Sequence, residues 1–337
     1  MIRLQDRISA WKTVGSILQN LRTSEREEIY RRAQAGNAWF TEKSTSQALI
    51  GVQRYLEEDK LKRWTESLPE YPPSVKNIGV VMAGNIPLVG FHDLLTVLIS
   101  GHTLWAKLSS QDSYLLKYIA NLLIEIEPRF EEHIVWIDKL KEADAIIATG
   151  SDNASRYFEY YFSKYPHIIR KNRTGVGILR GGESTETLQR LGQDVFQYFG
   201  LGCRNISKLW VPLQYDFVPL IEAWEGYQDV LLHHKYHNNY DYNKSIHLVN
   251  GDPFLDTGFA MLKENEALVS PISMVFYETY DTLANLEQKV AAQREKIQCI
   301  VSEDAWFAGS IPMGQAQQPE LWDYADGVNT LDFVNSL

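Results

Sequence analysis

Between Asn77 and Gly181 the chain alternates short apolar runs with longer stretches of helical spacing. The runs are "NIGVVMAG", "TLWAKL", "HIVWID", "AIIATG" and "VGILRG", and "SYLLKYIANLLIEIEPRFEE" is the clearest helical stretch between them. A continuous apolar run is too short for a helix and lacks the alternation of a strand with one wet face, so it demands cover on both sides. Strands of that kind separated by helices build βαβ units around a parallel sheet, which sets the fold class as α/β. Open sheets of this sort bind ligands beyond the carboxyl ends of their strands. In this chain those ends read "AGNIP", "KLSSQD" and "ATGSDN", rich in Gly, Ser, Thr and Asn.

Before this region the pattern is helical. Ile8, Trp11, Ile17, Leu18 and Leu21 recur near helical spacing, and "TSEREEIYRRAQAGN" carries a Thr23 or Ser24 cap, acids in its first turn and Gly36 at its end. Pro69, Pro72 and Pro73 then mark a connection. After residue 180 the α/β texture resumes. "GESTETLQRLGQDVFQYFGLGC" reads as a helix leading into a glycine turn; "ISKLWVP", "SIHLVN", "SPISMVFYET" and "KIQCIVSE" read as strands, with "DTLANLEQKVAAQRE" as a helix. The expected division is residues 1–180 as N-terminal helices and a cofactor-binding domain, 181–312 as a second α/β domain, and 313–337 as a tail packed on the domains. A length of 337 residues suits about two domains.

A formal net charge of -10 argues against a general nucleic-acid or anionic-lipid partner, because that attraction needs clustered Lys and Arg. The longest apolar stretch, "LLTVLISGHTLWAKL", is broken by Gly101, His102 and Lys107, short of the roughly 18 to 20 residues that span a bilayer. The charged start "MIRLQDRISAWKTVG" does not read as a signal peptide, so no membrane insertion and a cytoplasmic location are expected. Two widely separated cysteines, Cys203 and Cys299, form neither a disulfide framework nor a zinc pair.

Each cysteine has two readings. Cys203 follows Gly200 and Gly202 and precedes Arg204 and Asn205, a polar, conformationally free setting that suits a reactive thiolate. Free cysteine is also among the most buried residue types, and Cys299, inside the apolar "KIQCIVSE", fits that pattern. Asn85, on a loop at a strand's carboxyl end, is either a donor for a developing oxyanion or an ordinary turn residue before Ile86-Pro87. Lys107, Gly150 and Ser151 end two further strands with groups of the kind that hold phosphates and riboses, although no Walker A or G-x-G-x-x-G sequence is present. The segment "HHKYHNNYDYNKSIH" holds His233, His234, His237 and His247, but it lacks the HExxH glutamate and reads as a polar segment; no metal is expected.

Taken in order, these pieces resemble the aldehyde dehydrogenase superfamily, most closely its acyl-CoA reductase branch of the LuxC-like, long-chain fatty acyl-CoA reductase type. "AGNIPLVG" is similar to the Trp-Asn-Phe-Pro-Leu loop, which implies that Asn85 is the oxyanion amide. "GHTLWAKLSSQD" resembles the Gly-Asn-x-x-x-x-Lys-Pro-Ser-Glu segment, which implies a cofactor-ribose role for Lys107, Ser109 and Ser110. "ATGSDNAS" resembles Thr-Gly-Ser-Thr-Glu-x-Gly, placing Gly150 and Ser151 at a pyrophosphate, with Ser155 in place of the second glycine. "YFGLGCRNISKLWVP" resembles the Gly-Gln-x-Cys nucleophile segment, which implies that Cys203 is the nucleophile, and "ADGVNTLDFV" resembles the end of the reductase branch. Glu266 is the candidate for the nicotinamide ribose, one residue out of register with the superfamily's glutamate. The implied fold is aldehyde dehydrogenase-like: a Rossmann-type cofactor domain plus a second α/β catalytic domain.

The departures set the expected chemistry. Where the superfamily has Leu-Glu-Leu-Gly-Gly-Lys, whose glutamate activates water, "IIRKNRTGVGIL" holds no acid. That absence fits a catalyst that keeps water off an acyl-enzyme and disfavours aldehyde oxidation. Ser110 replaces the glutamate that grips both ribose hydroxyls in NAD-preferring relatives, which removes repulsion toward a 2'-phosphate and favours NADPH, with NADH as the alternative. The resemblance thus implies NADPH-dependent reduction of a fatty acyl thioester, carried by coenzyme A or an acyl carrier, to the aldehyde. Aldehyde oxidation, or a non-catalytic cofactor-binding role within a reductase complex, stand as alternatives. A homo-oligomer or a reductase-complex partner is implied as well.

Overall fold

The computed structural model describes residues 1–140 and 142–337. Two compact units divide the chain: residues 1–172 together with 320–337, and residues 173–319.

The first unit opens with four helices, α1 (Leu4–Gln19), α2 (Thr23–Gly36), α3 (Glu42–Tyr55) and α4 (Glu58–Trp64). Alternating strands and helices follow: β1 (Asn77–Val81), α5 (Phe91–Ile99), β2 (Thr103–Lys107), α6 (Leu115–Ile126), β3 (Ile134–Trp136), β4 (Ala145–Thr149), α7 (Asp152–Phe162) and β5 (His167–Arg170). The five strands form one parallel sheet in the order β3-β2-β1-β4-β5. The alternation of side chains explains the cover on both faces. Ile78, Val80, Ala145 and Ile147 point into a core shared with α1, α5 and α6, where Trp11 meets Phe91 edge-on. Val81, Ile146 and Ala148 point the other way, onto Phe158 and Phe162 of α7.

The second unit contains β6 (Thr174–Ile178), α8 (Thr185–Phe196), β7 (Ile206–Pro212), α9 (Val218–Trp224), α10 (His234–Asn250), β8 (Leu255–Asp256), β9 (Met261–Glu264), β10 (Met274–Tyr280), α11 (Leu283–Ala292), β11 (Ile297–Ser302) and β12 (Ile311–Pro312). Its sheet runs β12-β11-β6-β7-β10-β9-β8, parallel except for the β8–β9 pair. Leu209 and Val211 face α8 and α9, whereas Val176, Ile178 and Trp210 face α11. The last residues, with α12 (Thr330–Asn335), return to the first unit, where α12 packs on α5.

Three expectations change. The strand Thr174–Ile178 hydrogen-bonds to β7 and β11, so the crossing between units falls at 172/173 rather than at 180. "SIHLVN" is not a strand; it completes α10, which ends at Gly251 in the left-handed conformation (φ 69°). The tail also divides, residues 313–319 staying with the second unit and 320–337 with the first. Inside the first unit a buried ion pair holds three distant segments: Arg170 of β5 bonds both oxygens of Asp93 on α5 (2.6 and 2.8 Å) and the Thr330 hydroxyl of α12 (2.9 Å). Removing one partner of such a pair typically costs about 3 to 5 kcal/mol, because the other charge is left buried alone.

Candidate functional site

In the first unit the strand order reverses between β1 and β4, the point at which doubly wound sheets open a ligand crevice. The loop after β1 carries Gly84 and the exposed Asn85, then turns through Leu88 at a positive φ of 60° into α5. Two contacts hold this loop against the segment after β2. The buried Asp112 carboxylate accepts the Leu88 N–H at 2.8 Å, and Met82 N–H donates to the Lys107 carbonyl at 3.0 Å. Gly84 is required by close approach: a Cβ there would lie 2.6 Å from Ser109 Cβ and 3.0 Å from Asp112 N. The loop bearing the candidate oxyanion amide is thus seated directly on the loop bearing the candidate ribose ligands.

Lys107 is the last residue of β2, and Ser109 and Ser110 follow in a turn in which Ser109 Oγ accepts the Gln111 N–H. Gly150 follows β4, and Ser151 caps α7 by accepting the Ala154 N–H at 3.3 Å, a cap of a kind worth about 1 kcal/mol. Asn85, Lys107, Ser109, Ser110, Gly150 and Ser151 therefore stand at the carboxyl ends of three adjacent strands, β2, β1 and β4. A lysine, two hydroxyls and the N-terminus of an eleven-residue helix make a donor set of the kind that holds a ribose and a pyrophosphate, so these residues fit a dinucleotide. Burial pushes the Asp112 carboxyl up to about 6, against the Leu88 and Leu115 backbone hydrogen bonds that favour its charged form. Beneath the same loop His92 donates through Nε2 to the Leu321 carbonyl at 2.9 Å, and burial lowers its pKa, which favours the neutral ring.

Cys203 and Glu266 belong to the second unit. Cys203 lies in the turn between α8 and β7, half-buried as a thiol. Phe199, Gly200 and Gly202 have φ values of 58°, 82° and 96°, so three left-handed residues fold the chain back on itself just before the sulfur. The glycines are explained locally by that geometry. Cys299 is buried in β11 among core side chains, and its Sγ donates only weakly to the Arg204 carbonyl at 3.9 Å. Glu266 is exposed on the turn after β9. That turn is anchored by a residue with no signal in the sequence, Lys208, whose fully buried ammonium donates to the Asn265 carbonyl and pairs with Glu278 at 3.0 Å. Burial lowers the Lys208 pKa, opposed by the Glu278 carboxylate.

The histidine segment forms α10. His247 meets Asp252 at 2.8 Å beside Lys263, and His237 meets Asp241, as surface polar contacts. No group of metal-ligating side chains occurs among the described residues. Nor, among them, is any helix long and apolar enough to cross a membrane. In the segment "IIRKNRTGVGIL", Arg170 is committed to Asp93 and β6 is fully buried and free of carboxylates.

Residues 42–198 match the family model described as acyl-CoA reductase (LuxC). No curated protein matches the chain significantly. Among solved structures, an NAD-dependent aldehyde dehydrogenase from Sinorhizobium meliloti superposes with a TM-score of 0.68 at 12% identity, over 94% of this chain and 72% of that one. Aldehyde dehydrogenase 21 from Physcomitrella patens, in complex with the reaction product succinate, gives 0.67 at 14% identity, over 100% and 84%. An NAD+ complex of an aldehyde dehydrogenase from Bacillus cereus gives 0.63 at 12%, over 89% and 72%. At these identities the likeness establishes the fold.

Proposed function

We propose that this chain, whose residues 42–198 match the LuxC acyl-CoA reductase model and which has the aldehyde dehydrogenase fold, reduces a fatty acyl thioester to the aldehyde through a cysteine acyl-enzyme. The observation that carries this reading is the contrast between the two thiols. Cys203 is half-buried on a turn of left-handed residues, whereas Cys299 is packed into a strand. A nucleophilic sulfur has to be reached by a carbonyl carbon, which favours the half-buried Cys203 over the packed Cys299.

The Cys203 thiolate attacks the thioester carbonyl, and the oxyanion takes hydrogen bonds from the Asn85 amide and the Cys203 backbone N–H. The tetrahedral adduct collapses, its carbon–sulfur bond to the carrier breaks, and the carrier thiolate leaves with the acyl group on Cys203. A nicotinamide cofactor, when bound, supplies the hydride that reduces this carbonyl. The second oxyanion is held by the same donors; its collapse releases aldehyde and returns the Cys203 thiolate. Lys107, Ser109 and Ser110 hold the cofactor ribose, Gly150 and Ser151 its pyrophosphate, and Glu266 the nicotinamide ribose. Ser110, carrying no charge, tolerates the 2'-phosphate of NADPH. The carboxylate-free β6 supports reduction over oxidation, since no base is supplied there to hydrolyse the acyl-enzyme.

The test follows nicotinamide absorbance with acyl-CoAs of increasing chain length and, separately, with fatty aldehydes plus oxidised cofactor. Wild type and Cys299→Ala should consume NADPH with a long-chain acyl-CoA, and Cys203→Ala should not while still binding NADPH. Faster NADP+ reduction with aldehyde and water than NADPH oxidation with acyl-CoA would contradict the proposal.

A further inference from the structure

The turn that presents Cys203 is fixed by a part of the chain more than a hundred residues away. Asp194, on α8, is almost wholly buried, and its two carboxylate oxygens accept separate backbone N–H groups of the 314–316 turn: Gly314 N at 2.6 Å and Ala316 N at 2.9 Å. The far side of the same residue is also taken, because Arg204 Nε donates to the Ala316 carbonyl. Ala316 is therefore gripped at its N–H by an acid and at its C=O by the arginine next in sequence to Cys203. The Asp194 carboxyl also feels the Arg204 charge.

The remaining backbone of this turn is held just as closely. The Asn205 carbonyl accepts the Gly175 N–H at 2.8 Å and the Thr174 hydroxyl at 3.1 Å, both from β6. A Cβ on Gly175 would approach the Arg204 and Asn205 carbonyl oxygens to 2.8 and 2.9 Å, so the strand and the turn fit with no room to spare. The Arg204 side chain ties the turn to the 314–316 segment through the Ala316 carbonyl, and Asp194 holds the N–H groups of Gly314 and Ala316 in that segment. An arginine whose head group is held by a backbone carbonyl has its stem restricted to few rotamers, which tethers its own backbone to the 314–316 segment. Because Arg204 follows Cys203 directly, that tether limits how far the Cys203 backbone can shift.

We propose that Asp194 and Arg204 are positioning residues that act as one unit, through the 314–316 turn, to aim the Cys203 sulfur and its backbone N–H at the thioester carbonyl. This rests on the assignment of Cys203 as nucleophile. Because both side chains act through Ala316, loss of either releases the same restraint, and their effects are not additive. A misplacement of the reacting groups by about 1 Å costs on the order of 100-fold in rate, so each loss is expected to lower turnover by roughly 10 to 100-fold.

The test compares Arg204→Met, Asp194→Asn and the double variant for kcat with acyl-CoA, for the half-saturating NADPH concentration, and for the pH profile of Cys203 alkylation by iodoacetamide. The expected result is a lowered kcat in each single variant and no further loss in the double, with the NADPH half-saturation unchanged throughout and the alkylation midpoint unchanged in Asp194→Asn and Arg204→Lys, which keep the cation next to Cys203. A small reagent needs only a thiolate, whereas thioester attack needs the aimed turn. Arg204→Lys, which keeps a donor for Ala316, should recover most of the turnover even if Arg204→Met folds poorly. Multiplicative losses in the double variant, a shifted alkylation midpoint in Asp194→Asn or Arg204→Lys, or no recovery with lysine would overturn the clamp and leave the nucleophile assignment standing. Turnover retained by Cys203→Ala would overturn both.

Discussion

Replacing Asp194 by asparagine should change how stability depends on pH, in a direction the structure fixes. Burial raises the folded-state pKa of this carboxyl from 3.8 to about 7, outweighing the Gly314 and Ala316 hydrogen bonds and the Arg204 charge, which favour ionisation. The folded protein therefore keeps a proton that the unfolded chain has already released. Below the unfolded pKa both states are protonated and the group contributes no pH dependence. As pH rises from about 4 to about 7 the unfolded state gains by ionising and the native state loses stability, and above that the difference is constant. Each unit of pH within the window is worth about 1.36 kcal/mol, so between about pH 5 and the folded pKa the loss is roughly 2.7 kcal/mol. Asparagine does not titrate, and its variant lacks this slope. Urea unfolding of both proteins at about pH 5 and about pH 8 measures the difference directly. Wild type should lose roughly 2 to 3 kcal/mol more than Asp194→Asn across that interval. Equal slopes, or a wild type that gains relative to the variant, would refute the placement of this carboxyl in a desolvated site.

Asn85→Ala should lower turnover by about 100 to 1000-fold with little effect on NADPH binding, since a single oxyanion donor is typically worth about 2.7 to 4 kcal/mol. Near wild-type kcat in that variant would remove Asn85 from the mechanism. Ser110→Glu should weaken NADPH relative to NADH, by repulsion between a carboxylate and the 2'-phosphate. Steady-state comparison of the two cofactors reads that shift, and an unchanged preference would move the 2'-position away from residue 110.

The sheet of the first unit was legible because its strands are buried on both faces. Runs such as "NIGVV" and "AIIAT" can only be central parallel strands, and their ends had to be the ligand edge. That logic placed Asn85, Lys107, Ser109, Ser110, Gly150 and Ser151 at one set of strand ends, where they stand. The strand 174–178 read equally well as a strand, but a run of apolar residues does not say which sheet it joins; hydrogen bonding to β7 and β11 decides that. "SIHLVN" looked extended because Ile, Leu and Val are clustered, whereas the helix continues through them from the polar α10 with Leu248 and Val249 exposed. The supports of the site left no trace. Asp112, Asp194 and Lys208 are single charged residues in otherwise ordinary segments, and each acts on a backbone group far away in sequence or across a turn. Local pattern carries no information about such pairings.

The central claim is that the acyl group passes through Cys203, and trapping it is the most direct test. Intact-protein mass spectrometry after incubation with a long-chain acyl-CoA and no cofactor should show one added acyl group, mapped by peptide analysis to Cys203 and absent from Cys203→Ala. Addition of NADPH should discharge it as the aldehyde. No adduct, an adduct on another residue, or an adduct that NADPH does not release would contradict the account.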